Sequence, residues 1–390
     1  MLPHDVVHVL PTAPKPDLVA VRGHGSFLYD AEGREYLDFV QGWAVNALGH
    51  APPAIARVLT EQAGRLWTAS PAFHNAPYIA LATRLAGLAR MDHVYVCATG
   101  AEANEGAIKL ARKWGSVHRG GAYEIVTTEG SFHGRTLATM SASGKPTFAR
   151  LFEPKVPGFR KVPFGDAEAM ARAVDERTVA IMVEPVQGEA GVVVPPEGYL
   201  RALREIADRA GILLLLDEVQ TGVGRVGPFF AHEHEAIRPD VVTLGKGLGA
   251  GIPVAATICT RAANCFEPGD QGGTHVGNAL LCAVALAVVN TVADPAFLEG
   301  VRARSERLVD RLRAIGDGIG GTVRGRGMLQ ALVLDAPIAE ATVIECRARG
   351  LLLNAPRPDV LRFMPSLVVS DVEIDRMAEI LRDTLRALRP

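Results

Sequence analysis

Five short runs constrain this chain more tightly than anything else in it: "YEIVTT" at 123–128, "VAIMVEP" at 179–185, "ILLLLDE" at 212–218, "VVTLG" at 241–245 and "VAATICT" at 254–260. As strands they are apolar on both faces, and the stretches between them carry helical periodicity. That combination implies a sheet covered by helices on both sides, with largely parallel strands, an α/β layer architecture. The helix expected at about 197–210 is the clearest of the covers. Leu200, Leu203, Ile206, Ala207 and Ala210 fall on one face, and Gly211 stands where a left-handed cap would end it.

At 390 residues the chain exceeds what one core usually organises, and its texture changes after about residue 291. An Arg-rich helix (300–315), a Gly-rich turn, the runs "MLQALVLD" and "VLRFMP", and a last helix opened by a capping box of Ser370 with Glu373 read as a smaller α+β lobe. "GSFLYDAEGREYLDF" at 25–39 reads as a hairpin packing on that lobe. The expected division is an N-terminal segment (1–50) joined to the small domain, a large α/β domain (51–290) and a small domain (291–390). Lys plus Arg number 41 against 43 Asp plus Glu, a net charge of −2 with no long run of either sign, which argues against nucleic acid or an anionic membrane as main partner. Five cysteines without a C-x-x-C pair indicate reduced thiols rather than a disulfide framework. Neither a signal-peptide pattern nor an apolar run of about 18 residues is present, so a soluble, cytoplasmic protein is expected.

The chemistry concentrates at strand ends. In "TLGKGLGAG" (243–251), Lys246 follows one strand-like run, and Asp217 ends another; open α/β sheets bind ligands at the carboxyl ends of their strands. The surrounding glycines let a flat ligand approach the backbone closely. A lysine held away from water near other positive groups has its ammonium form disfavoured and becomes a nucleophile able to form a Schiff base. Asp217, at the end of a buried strand, needs a cation to offset its burial. Gly100 and Ala101 in "GAEANEGAIKLARKW" open a helix, where free N–H groups and the dipole favour a phosphate. "SFHGRTLATMSASGKP" (131–146) adds an aromatic, a histidine and an arginine on a Gly-containing loop.

Taken together with "YLDFVQGWAVNALGH", "VEPVQGEAGVVVP", "DEVQTGVGR", "GDQGGT" and "LRFMPSL", these motifs resemble the class III, fold-type-I pyridoxal-phosphate aminotransferases from about residue 22 to 388, and within them the N-acetylornithine aminotransferases most. The resemblance implies a mainly parallel seven-stranded sheet between helices and a PLP cofactor bound through Lys246. It also implies Asp217 on the pyridinium nitrogen, Gly100 and Ala101 on the phosphate, Phe132 stacked on the ring and Gln220 at its hydroxyl. Thr274 matches a threonine that reaches the phosphate from the partner subunit, so a homodimer is implied. Arg135 would hold the substrate's distal carboxylate. Arg362 would hold the α-carboxylate of glutamate, with Glu189 pairing Arg362 while the amine donor is bound. Trp43 falls on the substrate wall. The implied reaction passes the δ-amino group of N-acetylornithine to 2-oxoglutarate in a ping-pong cycle. Ornithine, succinylornithine, acetyllysine or 4-aminobutyrate as donor, and an aminomutase on the same scaffold, remain open at this stage.

Three positions depart from the family pattern: "GHAPP" at 49–53, His275 after the phosphate threonine, and "GNA" at 277–279. Two motifs point elsewhere. "GVGRVG" (222–227) satisfies a dinucleotide fingerprint but lacks a helix start after it, and "HEHE" (232–235) reads as a solvated face rather than a metal site, so no metal is expected.

Overall fold

The computed structural model describes residues 8–13 and 15–388; the leading residues 1–7, Pro14 and the last two lie outside them. The N-terminal strands are β1 (Ala20–His24), β2 (Phe27–Asp30) and β3 (Glu35–Asp38). The central ones are β4 (His93–Cys97), β5 (Glu124–Thr128), β6 (Phe159–Val162), β7 (Thr178–Val183), β8 (Leu213–Asp217), β9 (Val241–Leu244) and β10 (Ala255–Cys259). C-terminal to these come β11 (Thr322–Arg326), β12 (Leu329–Val333), β13 (Leu351–Leu352), β14 (Asn354–Arg357) and β15 (Val360–Phe363).

The central sheet has seven strands in the order β4-β10-β9-β8-β7-β5-β6. Pairing is parallel from β9 through to β6, whereas β10 runs antiparallel to both of its neighbours. The reversal follows from chain length: the link from Leu244 to Ala255 is too short for the crossover a parallel pair requires. All five of the expected runs are strands here. The two that the apolar pattern misses, β4 and β6, are the edge strands, each covered less completely than the strands inside and therefore built from less apolar residues.

Alternation along β8 sorts the sheet's two faces. Leu214 and Leu216 join the core that contains Leu203 and Ile206 of the Tyr199–Ala210 helix, Leu81 and Leu85 of the Ala76–Ala89 helix, and Val284 and Val288 of the Ala279–Val292 helix. Leu213 and Leu215 face the other way, onto Ala107, Ile108 and Ala111 of the Gly100–His118 helix. Gly211 ends the Tyr199–Ala210 helix in the left-handed conformation (φ 59°), as its position in the sequence requires.

The hairpin expected near the N-terminus forms as β2 and β3, and β3 pairs in parallel with β13 from the far end of the chain. A second four-stranded sheet, β11-β12-β15-β14, carries Arg362 on β15, between Ala331 on one side and Asn354 on the other. The Asp371–Leu388 helix buries Ile374, Met377, Leu381 and Leu385, and its start is closed reciprocally: the Glu373 N–H donates to Ser370 Oγ (3.2 Å) and the Ser370 N–H to Glu373 Oε2 (2.6 Å). All five cysteines are free. Among the described residues no single helix is long and apolar enough to cross a membrane.

Because β7 is covered on both faces, Ile181, which is fully buried at its centre, has no room to relax. Ile181→Ala should cost about 2–5 kcal/mol of stability, read from denaturant unfolding; a loss below about 1 kcal/mol would contradict the two-sided cover described here.

Candidate active site

Residue 217 shares the parity of Leu213 and Leu215, so its side chain emerges on the Gly100–His118 helix side of the sheet. There Asp217 Oδ2 accepts from Asn104 Nδ2 (2.7 Å) and lies 2.8 Å from His133 Nδ1, while Oδ1 accepts from the Val219 N–H (3.0 Å). Its partners within the chain are N–H donors, one of them the His133 ring. Asn104 is fixed in turn: it donates to the His133 carbonyl (2.8 Å) and accepts from Thr243 Oγ1 (2.7 Å) on the neighbouring strand β9. Asp217, Asn104, His133 and Thr243 are all buried. The sequence offered a signal for Asn104, which lies one helical turn after Gly100 and so on the sheet-facing side of a helix whose start was already identified.

Two residues beyond β9, Lys246 opens a short 3₁₀ turn with φ 41°. Gly245 and Gly100 approach closely: a Cβ on Gly245 would lie 3.4 Å from Gly100 Cα, and one on Gly100 would lie 2.6 Å from Val219 Cγ1. The start of the Gly100–His118 helix is thereby pressed against the strand end that carries Lys246. That start is capped by Thr99 and Glu102, whose N–H donates to Thr99 Oγ1 (3.2 Å), and the first helical N–H bond is that of Ala103 to Thr99. The N–H groups of Gly100 and Ala101 precede that bond and are left for a ligand.

Burial disfavours the ammonium form of Lys246, and Arg362 adds to this; Glu189, Asp217 and Glu184 pull the other way, and the balance leaves its pKa below the ordinary lysine range. Glu184 was not singled out in the sequence. Its Oε1 accepts the Phe132 N–H (2.9 Å), and burial, then the charge of Asp217, push its carboxyl well above the ordinary value. The Phe132 ring packs against Phe148 at 5.9 Å between centroids.

Arg362, 1% exposed, donates from Nη1 to Glu189 Oε1 (2.8 Å) and to the Gly188 carbonyl (2.9 Å), and from Nε to Asn354 Oδ1 (2.9 Å). Its guanidinium lies 5.2 Å from the Trp43 ring. Trp43 is held there by a left-handed turn, Gln41 to Ala44, whose start is pinned by Val40 and Gln41 N–H bonds to Asp38 Oδ1. His50 of "GHAPP" braces the same aspartate from Nε2 (2.9 Å to Oδ2), and the departing residue, Pro52, stands at the N-cap of the Pro53–Ala63 helix, ahead of Pro53 in its first position. Burial raises the Glu189 carboxyl, but Arg362, Lys246 and Lys145 outweigh it and hold it below the usual range. Gln220 packs against Gly188 so tightly that a Cβ there would fall 1.5 Å from Gln220 Oε1.

Lys246, Asp217, Glu189 and Arg362 therefore converge electrostatically. Trp43 packs on Arg362, and the rest lie against neighbours of the group: Gly100 on Gly245, Ala101 on Gly134, Gln220 on Gly188, and Phe132 through its N–H on Glu184. Arg135 is exposed at the rim, 5.5 Å from the Phe148 ring, and Thr274 is exposed on a loop that makes no hydrogen bond to the cluster within its own chain. The family model for class-III aminotransferases matches residues 11–385. The chain is a class-III aminotransferase. A protein of Bordetella bronchiseptica named acetylornithine aminotransferase 2 is 51% identical over 380 residues, 96% of each chain. The solved structure of an N-acetylornithine aminotransferase from Stenotrophomonas maltophilia superposes with a TM-score of 0.85 at 36% identity, covering 98% of both chains. That of the ornithine aminotransferase from Toxoplasma gondii reaches 0.94 at 31% identity, covering 99% of this chain and 94% of that one. The fold is thus that of the PLP-dependent aminotransferases, and the cofactor of this aminotransferase is pyridoxal phosphate. The residues suit it: a lysine with a depressed pKa, open N–H groups at a helix start and a buried carboxylate are the groups that would meet its aldehyde, its phosphate and its ring nitrogen.

Neither decoy motif forms a site in this aminotransferase. "GVGRVG" is a run of turns in which Arg225 is buried, its pKa pushed down to about 9 by that burial, and donates to the carbonyls of Met328 (3.0 Å) and Pro365 (2.6 Å). "HEHE" is only half the solvated face expected: Glu233 and His234 are exposed, but His232 and Glu235 are buried, with His232 Nδ1 2.8 Å from Glu218 Oε1 and Glu235 Oε2 accepting the Arg201 N–H (3.0 Å). These side chains are occupied in holding the turns after β8. No group of three or more His, Cys, Asp or Glu with metal-binding geometry occurs among the described residues.

The raised pKa of Glu184 has a signed consequence. Above the ordinary value of 4.5 the unfolded chain releases this proton while the native one keeps it, so Glu184 costs stability increasingly as pH rises. Glu184→Gln, which keeps the acceptor for Phe132 and cannot ionise, should therefore gain on the wild type from pH 5 to pH 8 in thermal unfolding. A difference between the two that is flat with pH would contradict a protonated Glu184.

Proposed function

We propose that this aminotransferase moves the δ-amino group of N-acetylornithine to 2-oxoglutarate, releasing N-acetylglutamate semialdehyde and glutamate in an arginine-biosynthetic reaction. The carrying observation is the Arg362–Glu189 pair beside Lys246. A donor that reacts through its distal amine brings no carboxylate to the reacting carbon, and Glu189 then keeps Arg362 paired. 2-Oxoglutarate does bring one, and Arg362 is free to take it in bidentate fashion when Glu189 withdraws. The acetylornithine aminotransferases among its relatives support the choice of donor. The likeness to an ornithine aminotransferase keeps free ornithine as the second reading. Trp43 favours the first, because an apolar indole face suits an acylamino group better than an ammonium paired only with solvent.

In this reading Gly100 and Ala101 hold the cofactor phosphate, Phe132 covers the ring, Gln220 meets its hydroxyl and Asp217 its nitrogen, while Asn104 and His133 fix the carboxylate of Asp217. Bound pyridoxal phosphate supplies an aldehyde that exchanges amines and a ring that stores the electron pair left by a departing proton. Lys246, deprotonated more easily than an ordinary lysine, would hold the cofactor through its aldehyde, and its freed Nζ would take and return the proton of the substrate carbon. Arg135 receives the distal carboxylate shared by donor and acceptor. The three-part division 1–50, 51–290 and 291–390 is proposed with it, supported by the pairing of β3 with β13. A homodimer is proposed on the exposed apolar side chains Trp67, Phe73 and Ile79. They adjoin the loop bearing Thr274, through the bonds of Asn75 to the Gly277 carbonyl and of Leu280 to the Trp67 carbonyl. Thr274 then reaches the partner's phosphate. A cytoplasmic location is part of the same proposal.

A panel of ω-amino donors assayed against 2-oxoglutarate tests the reading: N-acetylornithine should give the highest kcat/KM, and a higher value for ornithine or 4-aminobutyrate would overturn it. Lys246→Ala should abolish turnover while remaining folded. Arg135→Ala should raise KM for both substrates by about tenfold to a hundredfold; a loss confined to one substrate would refute a shared distal site.

A further inference from the structure

Glu189 is held by two cations, and only one of them belongs to the α-carboxylate site. Its Oε1 pairs with Arg362 Nη1 at 2.8 Å, and its Oε2 lies 3.5 Å from Lys145 Nζ. Lys145 lies just beyond the Leu137–Ala142 helix, which separates it from Phe132 and Arg135, and its ammonium sits 5.7 Å from the Phe132 ring centroid and 5.8 Å from that of Phe148.

The two partners are fixed very differently. Arg362 is anchored without Glu189, by the Gly188 carbonyl, by Asn354 and by the face of Trp43. Any exchange at this guanidinium therefore moves the glutamate and leaves the arginine in place. Glu189 has no such anchors. Its carboxylate makes ion pairs alone, with its side chain 24% exposed, so on leaving Arg362 it would become an unpaired charge in a mostly dry site. Lys145, 30% exposed on a flexible four-carbon stem, already touches its other oxygen and can follow it outward.

We propose that Lys145 is the second station of Glu189: it takes over the glutamate carboxylate when the α-carboxylate of 2-oxoglutarate claims Arg362, and so makes the site's acceptance of a dicarboxylate cheaper. This rests on the functional reading above, in which 2-oxoglutarate binds at Arg362. Lys145 acts through Glu189 and touches no substrate, which makes it a positioning residue. Arg135 is the other cation beside Phe148, 5.5 Å from its ring, and Lys145 acting directly on the distal carboxylate together with Arg135 is the competing role.

The test is a double-mutant cycle on the holoenzyme with Lys145→Gln, Glu189→Gln and both together. It is read by the calorimetric dissociation constant of glutarate, an unreactive five-carbon dicarboxylate, and by single-turnover kinetics of each half-reaction. Lys145→Gln should weaken glutarate by about fivefold, within the range of a partly exposed ion pair, and slow the 2-oxoglutarate half-reaction more than the donor half-reaction. In the Glu189→Gln background the same substitution should change neither. If the loss persists there, Lys145 meets the dicarboxylate itself; if Lys145→Gln has no effect with Glu189 present, the second station does not exist. Either result overturns the proposal alone, whereas a wild-type enzyme that fails to bind glutarate removes the parent reading and this one with it.

Discussion

A carboxylate buried at the end of a central strand has to be surrounded by donors, and meeting that demand for Asp217 organises one side of the protein. The donors come from three separate places: Asn104 on the helix that covers the sheet, His133 on the loop after β5, and the backbone of Val219 just beyond β8. Thr243 on β9 then holds Asn104. Each link satisfies a polar atom that would otherwise be buried alone, so the loop, the helix and two strands can dock in only one register. The same docking brings the Gly100 helix start against Gly245, beside Lys246. Open N–H groups at a helix start, a buried amine and a fixed carboxylate are therefore brought together by a single set of buried hydrogen bonds.

The small lobe supplies the other half of the site by a different logic. Arg362 lies on an inner strand of its own sheet and projects from there toward Gly188 and Glu189, which follow β7 of the large sheet. An arginine anchored by Gly188, Asn354 and Trp43 faces a glutamate held by ion pairs alone, and in the proposed reaction this lets one pocket take two electrostatic states. That is the property required of a catalyst whose two substrates differ in whether a carboxylate accompanies the reacting carbon. Its cost is a paired charge in a dry place, offset in part because Asn354 accepts from Nε and Gly188 from Nη1.

Much of this was legible in the sequence because buried strands and helix caps leave local signatures. The five inner strands, the Gly211 cap, the Ser370 box and the strand-end positions of Lys246 and Asp217 were all visible. β4 and β6 were not, since edge strands lack the unbroken apolar run that double burial imposes, and the reversed direction of β10 rests on a loop length rather than on any residue type. Within the site, Asn104 and Thr243 escaped notice because their partners are distant in the chain, and the burial of Glu184 is a property of the packed loops around it. "HEHE" misled for the same reason: nothing local says that His232 will be turned inward to hold Glu218. Thr274 is exposed in the single chain, where the proposed second chain would meet it.

The central claim is that Lys246 is the amine to which the cofactor is attached. Holoenzyme reduced with borohydride and digested should yield a pyridoxyl-modified peptide carrying Lys246 by mass spectrometry, with loss of the visible absorption near about 420 nm expected of a lysine-bound cofactor. Modification of a different lysine, or none with the cofactor present in stoichiometric amount, would contradict the account.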